Sequence, residues 1–459
     1  TPPPVPSHGP LLFTNVRVYD GRSDRLSAPS VVLVRGNRIE RITSAAAPPV
    51  APDALVIDGR GGTLMPGMID THVHLAIPMF PPRIADTDRG YVDALALDGA
   101  CRMLLRGFTS VRDMGGPTMG LRQAIDEGVA LGPRIYPSGA VLTQTGGHAD
   151  PRSALDVPTE FGGNTHPMER AGWSNRADGV PTVLVAAREQ FRLGATQLKI
   201  MAGGGVGSPR TPLDAIQFRE DEMRAAVDAA RDRGTYVAAH VYVPDGIRRA
   251  LDAGVMSIEH GHLIDEPTMR LLVQKGAFLS TQAFIFFSDR GIVPPEQQPK
   301  LRQARDGADR MFALAKQLGA KVTFSTDMAG PLPWQAQQNR ELTARLRWFT
   351  PAEILRQATS TGAALLALSG PRSPYEGRLG VVEPGALADL LLVAGDPLAD
   401  LSLLERPAET LTAIVKDGRL VVAPRGLASA LPPAPPAMPG PAASAPPPTD
   451  PPSTPPPAT

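Results

Sequence analysis

Short apolar runs, each closed by a polar residue, recur through the middle of the chain. They are GMIDTHVHL (67–75), FTSVRDM (108–114), RIYPSGAVL (134–142), TQLKIMA (196–202), YVAAHV (236–241), SIEHG (257–261), AFLST (277–281) and KVTFSTD (321–327). Runs of this length read as buried strands. Helix-like stretches lie between them. FREDEMRAAVDAARDRG (218–234) places apolar residues at i, i+3 and i+4 and closes on a glycine. Eight such strands alternating with helices predict an α/β fold, a (β/α)8 TIM-like barrel spanning 67–377. A doubly wound open sheet is the alternative. It usually carries a Gly-rich loop after its first strand, and here that strand ends in His-Val-His.

The texture changes at both ends. Residues 11–66 carry β-branched runs separated by Gly, Asn and Asp turns, and residues 378–424 repeat that texture, with KDG as a hairpin turn. The two segments predict one small β-sandwich domain built from both termini. Prolines number 50 in 459 residues, about twice the usual share. They crowd into 1–10 and 428–459, which read as disordered, the second as a low-complexity tail. Thr1 in place of Met reads as a processed precursor. That points to a periplasmic or secreted protein, with the cytoplasm as the alternative.

Composition removes several classes of function. Lys+Arg and Asp+Glu both number 46, so the net charge suggests no nucleic-acid partner. A single cysteine, Cys101, excludes an internal disulfide framework and a multi-cysteine metal site. No apolar run reaches the ~20 residues of a membrane span. A homo-oligomer is expected, since symmetric assemblies are common.

The polar residues that close the strands carry the chemistry. His72 and His74, at i and i+2 on a strand, face one side and can share a divalent cation. Alone, such a pair also suits polar packing. Asp70 shares that face and can orient a histidine from behind. His240, His260 and Asp327 each end an apolar strand, where an unpartnered polar group costs several kcal/mol. Lys199 lies inside an apolar strand. Burial lowers its pKa, and the free amine can take up carbon dioxide as a carbamate, an oxygen ligand able to bridge two cations. A lysine paired with a carboxylate is the bland alternative.

With these positions in view, the chain resembles the metal-dependent amidohydrolase superfamily over roughly residues 11–424. The motifs are PGMIDTHVHL, LKIMAGGGVGS, AAHVY, SIEHGH and STDMAG. GGHAD (146–150) and KIMAGGGVGSP are similar to the imidazolonepropionase-related group, which includes Xaa-Pro dipeptidase-like, carboxypeptidase-like and ochratoxin-hydrolysing amidohydrolases. The resemblance implies two metal ions, usually Zn2+. His72, His74 and Asp327 hold the first, His240 and His260 the second, and carbamylated Lys199 bridges them. One departure is Val241-Tyr242 after His240, where many relatives carry a further histidine.

The expected reaction is hydrolysis of an amide or peptide bond by a metal-bridging hydroxide, releasing a C-terminal amino acid. Asp327 passes the proton to the leaving amine. His148 donates to the oxyanion, or is an ordinary loop histidine. Tyr242 and Arg210 are candidates for binding a free carboxylate, although Arg210 also suits a solvated loop. Phe284, Phe286 and Phe287 either wall an apolar pocket or pack a helix. Segment 143–190 is long enough for a lid. His262 is expected to orient its neighbours; His166 and His8 are expected to be incidental. The substrates expected are N-acyl amino acids, dipeptides or bulky amides such as ochratoxin A. A same-superfamily hydrolase of a cyclic amide, lactone or phosphoester is the main alternative, and a metal-free scaffold the remote one.

Overall fold

The structure is a computed structural model and describes residues 9–47, 51–79, 81–288 and 293–423. The expected disordered start up to residue 8, with His8, and the proline-rich tail lie outside the described residues. No helix among the described residues is long and apolar enough to cross a membrane.

The first five strands are β1 (Leu11–Val18), β2 (Ser30–Arg35), β3 (Arg38–Ser44), β4 (Leu55–Asp58) and β5 (Thr63–Pro66). The central strands are β6 (Met68–Val73), β7 (Phe108–Asp113), β8 (Arg134–Pro137), β9 (Val141–Thr143), β10 (Ser174–Arg176), β11 (Leu198–Met201), β12 (Val237–Val241), β13 (Ser257–His260), β14 (Phe278–Thr281) and β15 (Lys321–Phe324). The chain closes with β16 (Leu390–Val393), β17 (Leu411–Lys416) and β18 (Arg419–Val422).

The central strands pair in parallel in two sheets, β6-β7-β8 and β10-β9-β11-β12-β13-β14-β15. Hydrogen bonds cross both gaps between them. Asp327 N donates to His72 O at 2.7 Å and His74 N to Met328 O at 2.9 Å, while Thr196 N donates to Pro137 O at 2.8 Å. Helices connect the strands, among them Glu220–Arg231, where 218–234 was expected. Its first turn holds three acidic residues, which suit the positive end of the helix dipole.

The run 134–142 does not form the single strand expected. Pro137 has no amide to donate, and Gly139 sits at φ +73°, so the run breaks into β8 and β9, one in each sheet. The 143–190 segment is also more ordered than a plain lid. It contains β10, a short helix Pro167–Arg170 capped by His166, and the start of helix Val180–Leu193.

The terminal segments join in one sheet of order β18-β17-β16-β5-β1-β2-β3, with β4 on β1. They share a core of residues such as Phe13, Val32, Ile57, Leu390 and Val415. The central strands have another, with Val111, Ile200, Ile258 and Phe324. Arg134 ties the two units, donating to Asp389 and to Asp417 at 2.7 Å each.

Candidate metal centre and active site

Five strand ends bring the polar residues to one place. His72 is on β6 and His74 one residue past it; Lys199 lies on β11, His240 on β12, His260 on β13, and Asp327 just beyond β15. Register sets the last steps: Met201 pairs His240, and Val241 pairs His260. His260 and Asp327 take positive φ, +71° and +55°. Such left-handed residues are uncommon outside glycine, and they concentrate at functional sites.

The ligand atoms of His72, His74 and Asp327 lie within 4.8 Å of one another, the one such group among the described residues. His72 Nε2 is 3.3 Å from His74 Nε2, and Asp327 Oδ1 is 3.3 Å from His72 Nε2 and 3.2 Å from His74 Nε2. Lys199 Nζ lies 3.4 Å from His72 Nε2. The rings of His240 and His260 lie 4.4 Å apart, and that of His260 lies 5.2 Å from His72. The structure therefore gathers all six expected ligands.

Burial sets their protonation. It pulls His72 down to about 4, helped by the nearby Lys199 ammonium, and pushes His240 and His260 well below the ordinary imidazole value. Their lone pairs are free at neutral pH. Burial also drops Lys199 to about 8, against the opposing charges of Glu259 and Asp327. The Lys199 amine meets the His72 ring, while Glu259 and Asp327 act on it by charge at longer range than an ion pair among the described residues. Burial would raise Asp327, but His72, His74 and His260 hold it far below the usual carboxylate range. Imidazole nitrogens and a carboxylate oxygen converging in a partly buried site suit a divalent cation, which removes the cost of facing those lone pairs.

His148 comes from the loop after β9. It is half-buried, its ring is 4.3 Å from that of His240, and its buried Nδ1 has no hydrogen-bond partner among the described residues. Gly205 makes this approach possible: a Cβ there would sit 2.5 Å from the His148 ring. Tyr242 stacks on His260, centroids 5.0 Å apart and planes 6° from parallel. The three phenylalanines diverge. Phe286 lies 4.0 Å from the His262 ring and 6.4 Å from Tyr242, whereas Phe284 stacks on Trp334 and Phe287 lies against Trp348 with the rings tilted by 51°. Arg210 is exposed and donates to the Arg152 carbonyl at 2.8 Å. It makes no hydrogen bond or ion pair with the candidate ligands among the described residues. His262 sits between Phe286 and the Gln282 carbonyl, 2.9 Å from its Nε2.

Asp70 does not orient a histidine ring. Its carboxylate accepts from the His72 and Thr326 amides, the Thr326 hydroxyl and Gln338, so it fixes backbone. The ring partners are residues that the sequence reading passed over. Glu259 Oε2 meets His72 Nδ1 at 2.8 Å, and Gln282 Oε1 meets His260 Nδ1 at 2.8 Å. Arg112 holds Glu259 from behind at 2.7 Å. A charged residue inside each of the apolar strands FTSVRD and SIEH was the available signal.

The amidohydrolase family profile matches residues 63–421. An ochratoxinase of Aspergillus niger is 31% identical over 385 residues, covering 79% of this chain and 76% of its own length. Its crystal structure superposes with a TM-score of 0.79 at 26% identity, covering 91% of this chain and 96% of that one. A prolidase in complex with N-methylphosphonate-L-proline gives a TM-score of 0.83 at 35% identity, covering 90% of this chain and 100% of that one. A Xaa-Pro dipeptidase with methionine bound in its active site gives 0.78 at 29%, with 90% and 100% covered. The fold shared with these proteins is TIM-barrel-like α/β.

Proposed function

The chain belongs to the amidohydrolase family and is a hydrolytic enzyme, and from that premise we propose a binuclear amide hydrolase that releases a C-terminal amino acid from an N-acyl amino acid or dipeptide. The observation that carries the reading is the convergence of His72 Nε2, His74 Nε2 and Asp327 Oδ1 within 3.3 Å, with the Lys199 amine 3.4 Å away.

His72, His74 and Asp327 would hold one ion, His240 and His260 a second, and Lys199, as its carbamate, both. Zinc is the proposed metal, in keeping with imidazole and carboxylate donors. Bound there, the ions supply a water of lowered pKa and polarise the amide carbonyl. Asp327 remains an anion near neutral pH, so it accepts the proton of the attacking water and returns it to the leaving amine. His148 is neutral, pulled down to about 4 by burial. It keeps one N–H to donate to the developing oxyanion. Tyr242, whose phenol burial keeps protonated, and Phe286 wall the leaving side. Arg210 must leave the Arg152 carbonyl to join Tyr242 on a carboxylate.

We read β6, β7, the broken β8/β9 run, β11, β12, β13, β14 and β15 as one closed eight-stranded barrel over 67–377, with β10 outside it at the edge of β9, on the hydrogen bonds that cross both gaps. The terminal sheet reads as a small sandwich over 11–66 and 378–424, on its separate shared core. Ochratoxinase and prolidase relatives favour amide substrates. The test is a hydrolysis panel of N-acyl amino acids and dipeptides varied at the C-terminal residue, beside a cyclic amide, a lactone and a phosphoester. Metal content is measured on the same sample. Turnover confined to the last three, or full turnover without divalent metal, overturns the proposal.

A further inference from the structure

Three side chains form a buried line leading away from the candidate metal centre. His72, Glu259 and Arg112 are each 0% exposed. His72 Nδ1 meets Glu259 Oε2 at 2.8 Å. The other Glu259 oxygen accepts from Arg112 Nη2 at 2.7 Å and from the Ser257 hydroxyl at 2.5 Å. The five guanidinium N–H groups of Arg112 all have acceptors. Besides Glu259 these are Thr71 O at 2.5 Å, and Tyr236 Oη, Ser257 Oγ and Ser280 Oγ at 3.2 Å each.

We propose that Glu259, clamped by Arg112, is a positioning residue that keeps the His72 proton on Nδ1 and so aims the Nε2 lone pair at Asp327, His74 and Lys199. The inference rests on the proposed role of His72 as a ligand.

The two carboxylate oxygens divide the work. Oε1 takes the counter-charge, without which a buried anion is costly. Oε2 and His72 Nδ1 stand 2.8 Å apart and neither has a hydrogen-bond partner elsewhere among the described residues, and a carboxylate at that distance from a ring nitrogen requires a donor. The ring must carry its proton on that side, which leaves the opposite nitrogen, with three polar groups gathered near it, as a lone pair. Hydrogen bonding behind a ligating histidine fixes both tautomer and ring direction. Sequence order alone would not bring Glu259 and His260 to the same ring, because adjacent strand residues face opposite sides. The φ of +71° at His260 ends the strand there, and its ring still reaches His72, 5.2 Å between centroids.

The test begins with unaltered, metal-free protein carrying 15N-labelled histidine. Long-range proton–nitrogen spectra, with His72 identified by the signal lost in His72→Gln, are expected to show a proton on Nδ1. A proton on Nε2, or an even mixture, overturns the proposal, and this readout does not depend on any variant folding. Zinc affinity is then measured by chelator competition for Glu259→Gln and for the charge-neutral pair Arg112→Met/Glu259→Gln. Either variant that folds is expected to bind 10–100-fold more weakly. Folded variants that bind zinc as tightly as the unaltered protein overturn the proposal. Unaltered protein that takes up no divalent ion removes the ligand role of His72 and the inference with it. Uptake of zinc with the proton on Nε2 refutes the positioning role alone.

Discussion

Asp327 meets His72 twice: its backbone amide donates to the His72 carbonyl at 2.7 Å, and its carboxylate lies 3.3 Å from the His72 ring. The first contact joins the segment just beyond β15 to β6; the second belongs to the candidate centre. One residue therefore carries a structural and a chemical role through different atoms, and substitution separates them. Asp327→Asn keeps the backbone bond, and asparagine tolerates the +55° φ. We expect a folded protein whose kcat is lower by about 10²–10⁴-fold. Circular dichroism and steady-state kinetics check this; unchanged kcat would remove Asp327 from proton transfer.

Lys199 supplies a pH test. Its amine is pulled from 10.5 to about 8 by burial. Below that value it is an ammonium, which cannot form a carbamate; above it, the amine is free. Protein stripped of metal and carbon dioxide, then supplied with zinc at equal dissolved carbon dioxide, should regain activity roughly fifteenfold faster at pH 8 than at pH 6.5, following the free-amine fraction. A rate independent of pH argues against a carbamate, as does full activity in Lys199→Ala.

Phe286 differs from its two neighbours by facing Tyr242 and His262. Phe286→Ala should raise KM for an aromatic leaving amino acid roughly tenfold with little change in kcat, the signature of lost uniform binding. Phe284→Ala and Phe287→Ala should instead lower the melting temperature. Carboxyl-amidated substrates should turn over more slowly than free acids; equal rates refute a carboxylate clamp.

The joint between the two units predicts a stability effect without a catalytic one. Asp389→Ala leaves the buried Arg134 guanidinium with Asp417 as its remaining carboxylate, at a cost of about 3 kcal/mol, measured by denaturant unfolding. Burial would raise Asp417, but Arg134 holds it below its ordinary value. Its contribution is thus present above the ordinary carboxylate pKa and lost as pH falls through the lowered one. The melting temperature should fall on acidification below about pH 4.

A chain ended at Leu427 should keep full activity. The last described strand ends at Val422, and every candidate ligand precedes it. Loss of turnover in that shortened protein, at unchanged melting temperature, would assign the tail a catalytic part.

The eight apolar runs and the six candidate ligands were legible in the chain because both signals are local. A strand announces itself by a short apolar run, and a polar residue at its end stands out against that run. GMIDTHVHL and KVTFSTD carried His72, His74 and Asp327 in this way. The break of 134–142 was less visible, since Pro137 and Gly139 are also tolerated at strand ends. The difference among Phe284, Phe286 and Phe287 was not visible at all, because they form a short helix, Phe284–Phe287, that turns each ring toward a separate neighbour.

By itself, the sequence determined which residue types reach the ends of the parallel strands, and hence the imidazole and carboxylate character of the candidate site. Tertiary structure alone decided which groups stand behind those ligands. Glu259 reaches His72 across 187 positions of chain, and Arg112 reaches Glu259 across 147. Buried charges choose partners by proximity in the packed interior, where low polarity makes each unpaired group costly, and neither strand's own pattern records which neighbour that will be.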